Sequence, residues 1–137
     1  MFTKIMVPVD LAHAATVEKA IQVAADLAKL HNAEIFLVGV TDTAPGSVAH
    51  DPNEYRQRLE QFAADHSSRH GCSMTAKVVI CNDPAAELDK ALEDYGKEID
   101  VDLVVMASHL PGFMDHLFHS RAGHLATHTD ISVFIVR

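Results

Sequence analysis

Residues 101–111 have the sequence VDLVVMASHLP, and this stretch decides the fold. Its apolar run ends in small and polar residues followed by Pro111, which is typical of a buried strand that opens into a loop. A second stretch near the start has the same form, because the apolar run of residues 5–9 is followed directly by the carboxylate of Asp10. We therefore predict that these two strand ends lie side by side and form a binding site.

Apolar segments alternate with helical patterns along the chain. Strands are predicted at residues 4–9, 34–40, 75–81, 102–107 and 132–136. Apolar residues spaced three and four apart predict helices at residues 14–31, 52–70, 84–96 and 115–128. Asp followed by Pro predicts two of the helix starts, at Asp51 and Asp83, and these two helices are predicted to end at Gly71 and Gly96.

This alternation indicates one α/β domain over residues 1–137, with a doubly wound, five-stranded parallel sheet and helices on both faces. Right-handed crossovers leave few topologies for such a sheet. In the order 3-2-1-4-5, the strand order reverses between strands 1 and 4, which is where doubly wound sheets bind their ligands. Asp10 follows strand 1, and Ala107, Ser108 and His109 stand at the end of strand 4.

The composition disfavours several classes of protein. A net charge of −8 at pH 7 disfavours nonspecific binding to nucleic acid or to an anionic membrane, since both need a basic surface. No apolar run approaches the roughly 18 residues that a membrane span needs, so no membrane insertion is expected. The first residues lack the layout of a signal peptide, and Cys72 and Cys81 have no metal-type spacing, so we expect a cytoplasmic protein.

Neither a catalytic site nor a metal site is predicted. No nucleophile is accompanied by a base and an orienting group, and the Gly-Lys-Ser/Thr motif of the phosphate-binding loop is missing. Five histidines follow residue 108, but steps of 100° along one helix place His119 and His128 on opposite faces. One helix therefore cannot gather the three or four ligands that zinc requires.

The chain resembles the universal stress protein family over nearly its full length. Three stretches carry the resemblance: IMVPVD at residues 5–10, VMASHLP at residues 105–111, and SVFIVR at residues 132–137. The Ala-Ser-His-x-Pro form of the second stretch is similar to that of small bacterial members that bind ATP. The resemblance implies the same 3-2-1-4-5 sheet and a stress-response protein that is not a fast enzyme.

The resemblance also implies an adenine-nucleotide site. The base would be held by Pro8, Val9 and Asp10, with Val40 from the second strand. The ribose and phosphates would be held by two loops, at Met106, Ala107, Ser108, His109 and Pro111, and at His119, Ser120, Arg121 and Ala122. The ligand would be ATP, ADP or AMP, with or without Mg²⁺, and would regulate assembly or the binding of an unidentified protein partner. Family dimers pair their last strands, which implies a homodimer through Ser132–Val136.

Departures from the family pattern leave two functions open. The family's turn glycines correspond to Ala107 and Leu110, and the glycine of a later Gly-Ser pair corresponds to His119. A side chain there either obstructs the approach of phosphate to backbone N–H groups or, as His119 beside Arg121, adds hydrogen bonds to it. The chain is therefore either nucleotide-regulated or a nucleotide-free, dimeric protein-interaction module. Asp10 likewise either binds a ligand or only caps the first helix.

Overall fold

The computed structural model describes residues 1–108, 123 and 125–137. In chain order, its elements are β1 (Lys4–Val9), a 3-10 segment (Leu11–Val17), α1 (Glu18–His31), β2 (Glu34–Thr41), α2 (Pro52–His70), β3 (Met74–Ile80), α3 (Pro84–Glu98), β4 (Leu103–Ala107) and β5 (Ser132–Val136). All predicted strands are present, within one residue of their predicted ends. Most of the last predicted helix, 115–128, lies outside the described residues, and the part that is described, residues 123 and 125–128, is helical.

The five strands form one parallel sheet in the order β3-β2-β1-β4-β5, which confirms the predicted topology. β1 lies at its centre and is buried from Ile5 to Val9, as expected for a strand covered on both faces. The pairing of β1 with β4 ends at Met6 and Val104, before Pro8, which has no N–H to donate. The ladder between these strands therefore stops short of the carboxyl edge, where the site is predicted.

Helices cover the sheet from both faces. The connections from β1 to β2 and from β2 to β3 run in the same direction across the sheet, so right-handed crossovers place α1 and α2 on one face. The connection from β3 to β4 runs in the opposite direction and places α3 on the other face. α1 packs against β1 and β4, and α2 packs against β2 and β3. No helix in the described part of the chain is long and apolar enough to cross a membrane.

The caps of α2 follow the sequence prediction. The side chain of Asp51 accepts a hydrogen bond from the Glu54 N–H at 2.8 Å, and Pro52 occupies the first turn. Gly71 ends the helix with a φ of 65°, a left-handed conformation that glycine adopts without steric cost.

Two other helix boundaries differ from the prediction. The helix predicted at residues 14–31 becomes α-helical only at Glu18, because a 3-10 segment with a kink at His13 precedes it. Gly96 does not end α3, which continues to Glu98. A Cβ at Gly96 would lie only 3.3 Å from the Cδ1 of Ile131, so this glycine allows the Ile131 side chain to pack closely against α3.

Asp102 ties β1 to the start of β4 at the amino edge of the sheet. One carboxylate oxygen accepts hydrogen bonds from the backbone N–H and the hydroxyl of Thr3, both at 2.8 Å, and the other accepts from the Lys4 N–H at 3.1 Å. Burial raises the pKa of this carboxyl group, but the hydrogen bonds from Thr3 and Lys4 outweigh it and hold the pKa below its usual value. The folded protein therefore favours the ionised form of Asp102.

His66 is a buried polar residue on the face of α2 towards α1. Its Nε2 lies 3.6 Å from a carboxylate oxygen of Glu18, and its Nδ1 has no hydrogen-bond partner in the described part of the molecule. Burial lowers the pKa of the ring, and the charge of Glu18 opposes this only in part. The folded protein therefore favours the neutral imidazole at this position.

Candidate functional site

A pocket of about 210 Å³ lies at the carboxyl ends of β1 and β2. Asp10 contributes to it from the end of β1, Val40 from the end of β2, and Tyr55 from the first turn of α2. The remaining wall is formed by the end of β2 and the loop that follows it, at Thr41, Asp42, Ala44, Gly46, Ser47, Val48 and Ala49. Two of the residues that the sequence assigned to the base, Asp10 and Val40, thus share one small pocket.

The carboxylate of Asp10 is held at both oxygens. Its Oδ1 accepts a hydrogen bond from the Ala12 N–H at 3.0 Å, which caps the 3-10 segment. Its Oδ2 lies 3.0 Å from the Nδ1 of His13. The expected capping role is therefore present, and the same carboxylate lines the pocket. Pro8 and Val9, the last two residues of β1, are buried and directly precede Asp10.

Tyr55 closes the pocket by lying directly on the backbone of β2. A Cβ at Gly39 would lie 2.5 Å from the hydroxyl oxygen of Tyr55 and 2.7 Å from its Cε1, so the ring fits only because residue 39 has no side chain. Burial, with a smaller effect from the charge of Asp10, raises the pKa of the phenol above its ordinary value. The hydroxyl therefore stays protonated and can donate a hydrogen bond.

The pocket walls carry negative charge. Asp10 and Asp42 both line it, and none of the described lining residues is a lysine or an arginine. The side chain of Asp42 accepts a hydrogen bond from the Ala44 N–H at 2.8 Å, which shapes the loop after β2. Such a pocket favours a neutral ligand with hydrogen-bond donors and disfavours an anionic group.

β4 is the neighbour of β1 in the sheet, as predicted, but the pocket at Asp10 opens between β1 and β2 and is lined by no residue of β4. Met106 and Ala107 are buried in β4, and the Ser108 N–H donates to the carbonyl of Val136 at 2.7 Å. This N–H is therefore bonded to β5. The other residues that the sequence assigned to the phosphates lie outside the described residues: His109, Pro111, His119, Ser120, Arg121 and Ala122.

Sequence reasoning missed three contributors to this site. Tyr55 has the apolar spacing of a core residue, and only the small residue Gly39 in a buried strand signals that a ring approaches the backbone there. Asp42 lies in a polar loop with no recognisable motif. His13 occupies a predicted loop, and its contact with Asp10 depends on a kink that apolar spacing does not predict.

The chain is similar to known proteins over its whole length. A model of the universal stress protein family matches residues 1–137. Universal stress protein G of Salmonella typhimurium is 25% identical over 148 residues, which cover 100% of both chains. Among solved structures, a universal stress protein family member from Burkholderia pseudomallei is 23% identical with a TM-score of 0.68, over 98% of this chain and 96% of the other. The universal stress protein of Archaeoglobus fulgidus in complex with dAMP is 16% identical with a TM-score of 0.69, over 99% and 98%.

Proposed function

Because this chain belongs to the universal stress protein family, we propose that it binds an adenine nucleotide, with the base in the pocket beside Asp10. The observation that carries this proposal is the meeting of Asp10 and Val40 in one pocket at the carboxyl edge of the sheet. A carboxylate oxygen accepts a hydrogen bond from the exocyclic amine of adenine. The side chain of Val40 offers an apolar contact for the ring.

The size and charge of the pocket suit a base alone. A volume of about 210 Å³ lies below the roughly 300 Å³ at which pockets for whole drug-sized ligands begin. Asp10 and Asp42 disfavour phosphate nearby, so the ribose and phosphates would extend out of the pocket towards the end of β4. The Archaeoglobus fulgidus relative, which has the same fold, was crystallised with dAMP, and this supports a nucleotide of the adenine class.

The bound nucleotide would regulate assembly and would not be hydrolysed rapidly. The described site contains two carboxylates, the hydroxyls of Thr41 and Ser47 and a phenol, but no arrangement of nucleophile, base and orienting group. A nucleotide that binds one state of the protein more tightly shifts the population towards that state. The proposed output is a change in the homodimer, or in its affinity for a protein partner, in the cytoplasmic stress response.

Nucleotide binding is expected to stabilise the protein measurably. At a free ATP concentration of one hundred times the Kd, the free energy of unfolding should rise by about 2.7 kcal/mol. For a chain of this size, that corresponds to a rise in Tm of roughly 5–10 °C. Differential scanning fluorimetry with ATP, and with GTP as the control, checks this result. Chromatography of the supernatant after denaturation identifies any nucleotide that copurifies. An empty protein with no shift in millimolar ATP would instead favour the nucleotide-free interaction module.

The exposed edge of β5 supports the homodimer, which both functions share. Phe134 and Ile135 are 45% and 42% exposed on an edge strand whose pairing in the described structure is with β4 alone. Exposed apolar side chains and free backbone groups on a sheet edge favour pairing with a second copy.

We therefore expect Ile135→Lys to convert the dimer to a monomer, because a charge would be buried at the interface. Sedimentation velocity measures the change in mass. Ile80→Lys is the matched control, since Ile80 is 48% exposed on β3 at the opposite edge of the sheet, and this variant should remain a dimer. Monomers for both variants, or dimers for both, would contradict an interface on β5.

A further inference from the structure

We infer that His13 is a positioning residue that fixes the carboxylate of Asp10 and thereby sets the preference of the pocket for adenine over 6-oxo purines. The inference rests on the proposed function, because it concerns the same pocket. Its geometric part, the orientation of Asp10 by His13, concerns the free protein and can be tested without a ligand.

The backbone after β1 is built to bring the ring of His13 against Asp10. His13 has φ −132° and ψ 48°, which interrupts the 3-10 segment with a kink. Its N–H donates to the carbonyl of Asp10 at 3.0 Å, and its carbonyl accepts from the hydroxyl of Thr16 at 2.7 Å. Both backbone groups of His13 are therefore held, and the kink directs its ring nitrogen Nδ1 to within 3.0 Å of the Asp10 Oδ2.

This contact selects one tautomer of the ring. An ionised carboxylate only accepts hydrogen bonds, so the Nδ1 of His13 carries the proton and donates it. In the neutral ring, Nε2 is then the unprotonated nitrogen. The carboxylate is bonded on both sides, by Ala12 N–H at Oδ1 and by His13 at Oδ2, so it cannot rotate without losing a bond.

A fixed carboxylate discriminates between purines at position 6. Each oxygen of Asp10 keeps a further lone pair, which can accept a hydrogen bond from the exocyclic amine of adenine. Hypoxanthine and guanine carry a carbonyl oxygen at the same position, which faces the carboxylate as a second acceptor. The side chain of Asp10 is 16% exposed, so water does little to screen that repulsion. The side chain of His13 is 42% exposed and holds Asp10 from its solvent side. A carboxylate that is free to rotate would turn away and lose this selectivity.

The tautomer of His13 tests the geometry in the free protein. Long-range ¹H–¹⁵N spectra at pH 8 should show a protonated Nδ1 on His13, and Asp10→Asn should abolish this preference. A His13 protonated at Nε2 in the wild-type protein would overturn the inference, whether or not a nucleotide binds.

Binding measurements test the selectivity. We expect His13→Ala to weaken ATP binding about tenfold, the value of one hydrogen bond to a charged group, while ITP binding changes less than about twofold. His13→Asn offers an amide N–H in place of Nδ1 and should retain ATP affinity to within about threefold. His31→Ala is the matched control, because His31 is the last residue of α1 and does not line the pocket, and this variant should bind as the wild type does.

The outcomes separate the two proposals. A wild-type protein that binds neither ATP nor ITP would overturn the proposed function and the selectivity, while the tautomer decides the orientation of Asp10 by itself. ATP affinity unchanged in His13→Ala, or equal losses for ATP and ITP, would overturn the positioning role while leaving nucleotide binding in place. If His13→Ala does not fold, the ratio of the ATP affinity to the ITP affinity of His13→Asn decides. A ratio lower than that of the wild type by more than about threefold would contradict the positioning role.

Discussion

Replacing Gly39 by alanine is expected to lower the free energy of unfolding by about 1–2.5 kcal/mol and to push Tyr55 out of its place in the pocket. The new Cβ would lie 2.5 Å from the hydroxyl oxygen of Tyr55, 2.7 Å from Cε1 and 3.0 Å from Cζ. Overpacking of this kind typically costs about 1–3 kcal/mol, and the upper part of that range applies because the ring is rigid and buried. The gain from removing a strand glycine, roughly 0.5–1 kcal/mol, does not offset the clash.

Urea unfolding measures this loss, and Gly46→Ala provides its matched control. Gly46 lines the same pocket, but a Cβ there meets nothing within 4 Å, so its substitution should be nearly neutral. A double-mutant cycle assigns the cause, because Gly39→Ala should cost much less when Tyr55 is already replaced by alanine. An equal cost with and without the Tyr55 ring would show that the ring is not what the new methyl group meets.

Asp102→Ala is expected to destabilise the protein by about 2–3 kcal/mol at pH 7. The substitution removes three hydrogen bonds to a charged acceptor. The backbone N–H groups of Thr3 and Lys4 then lose the carboxylate oxygens to which they donate. The estimate is the value of one to two such bonds, since Asp102 is partly exposed and water replaces part of what is lost. Chemical unfolding of the wild-type and variant proteins gives the difference directly.

The effect of Asp102 should depend on pH in a defined direction. Its pKa in the folded protein lies below the unfolded value of about 3.8. The unfolded state therefore binds the proton first, and the stability that Asp102 contributes is fully present above that value and is lost as the pH falls through the folded pKa. The difference between the wild type and Asp102→Ala should be constant from about pH 7 to pH 5 and should shrink below about pH 4.

Asp130→Ala is the control for Asp102, since Asp130 is an exposed aspartate two residues before the start of β5. It should change stability by less than about 0.5 kcal/mol. An Asp102→Ala protein as stable as the Asp130→Ala protein at pH 7 would refute the structural role of the Thr3 and Lys4 bonds.

The strand order and part of the site could be predicted because they depend on local patterns. Uninterrupted apolar runs, Asp-Pro starts and a regular alternation leave few topologies, and parallel strands bring their carboxyl ends to one edge. Asp10 follows from that geometry, whereas Val40 is expected only from the family resemblance. Tyr55 and His13 follow from neither, because their contacts depend on the free space above Gly39 and on a backbone kink. Gly96 shows the same limit, since a glycine that resembles a helix end in sequence serves helix packing in the structure.

The central position of β1 has a consequence for how the chain folds. β2 and β3 follow β1 directly in the chain and pair on one side of it. Its neighbour on the other side, β4, comes much later in the chain, since Lys4 and its hydrogen-bond acceptor Asp102 are 98 residues apart. Closing so long a segment costs more entropy than joining consecutive strands. Contacts of high sequence separation slow folding. We therefore expect the first three strands to assemble as one unit, and the docking of β4 and β5 onto β1 to limit the rate of folding.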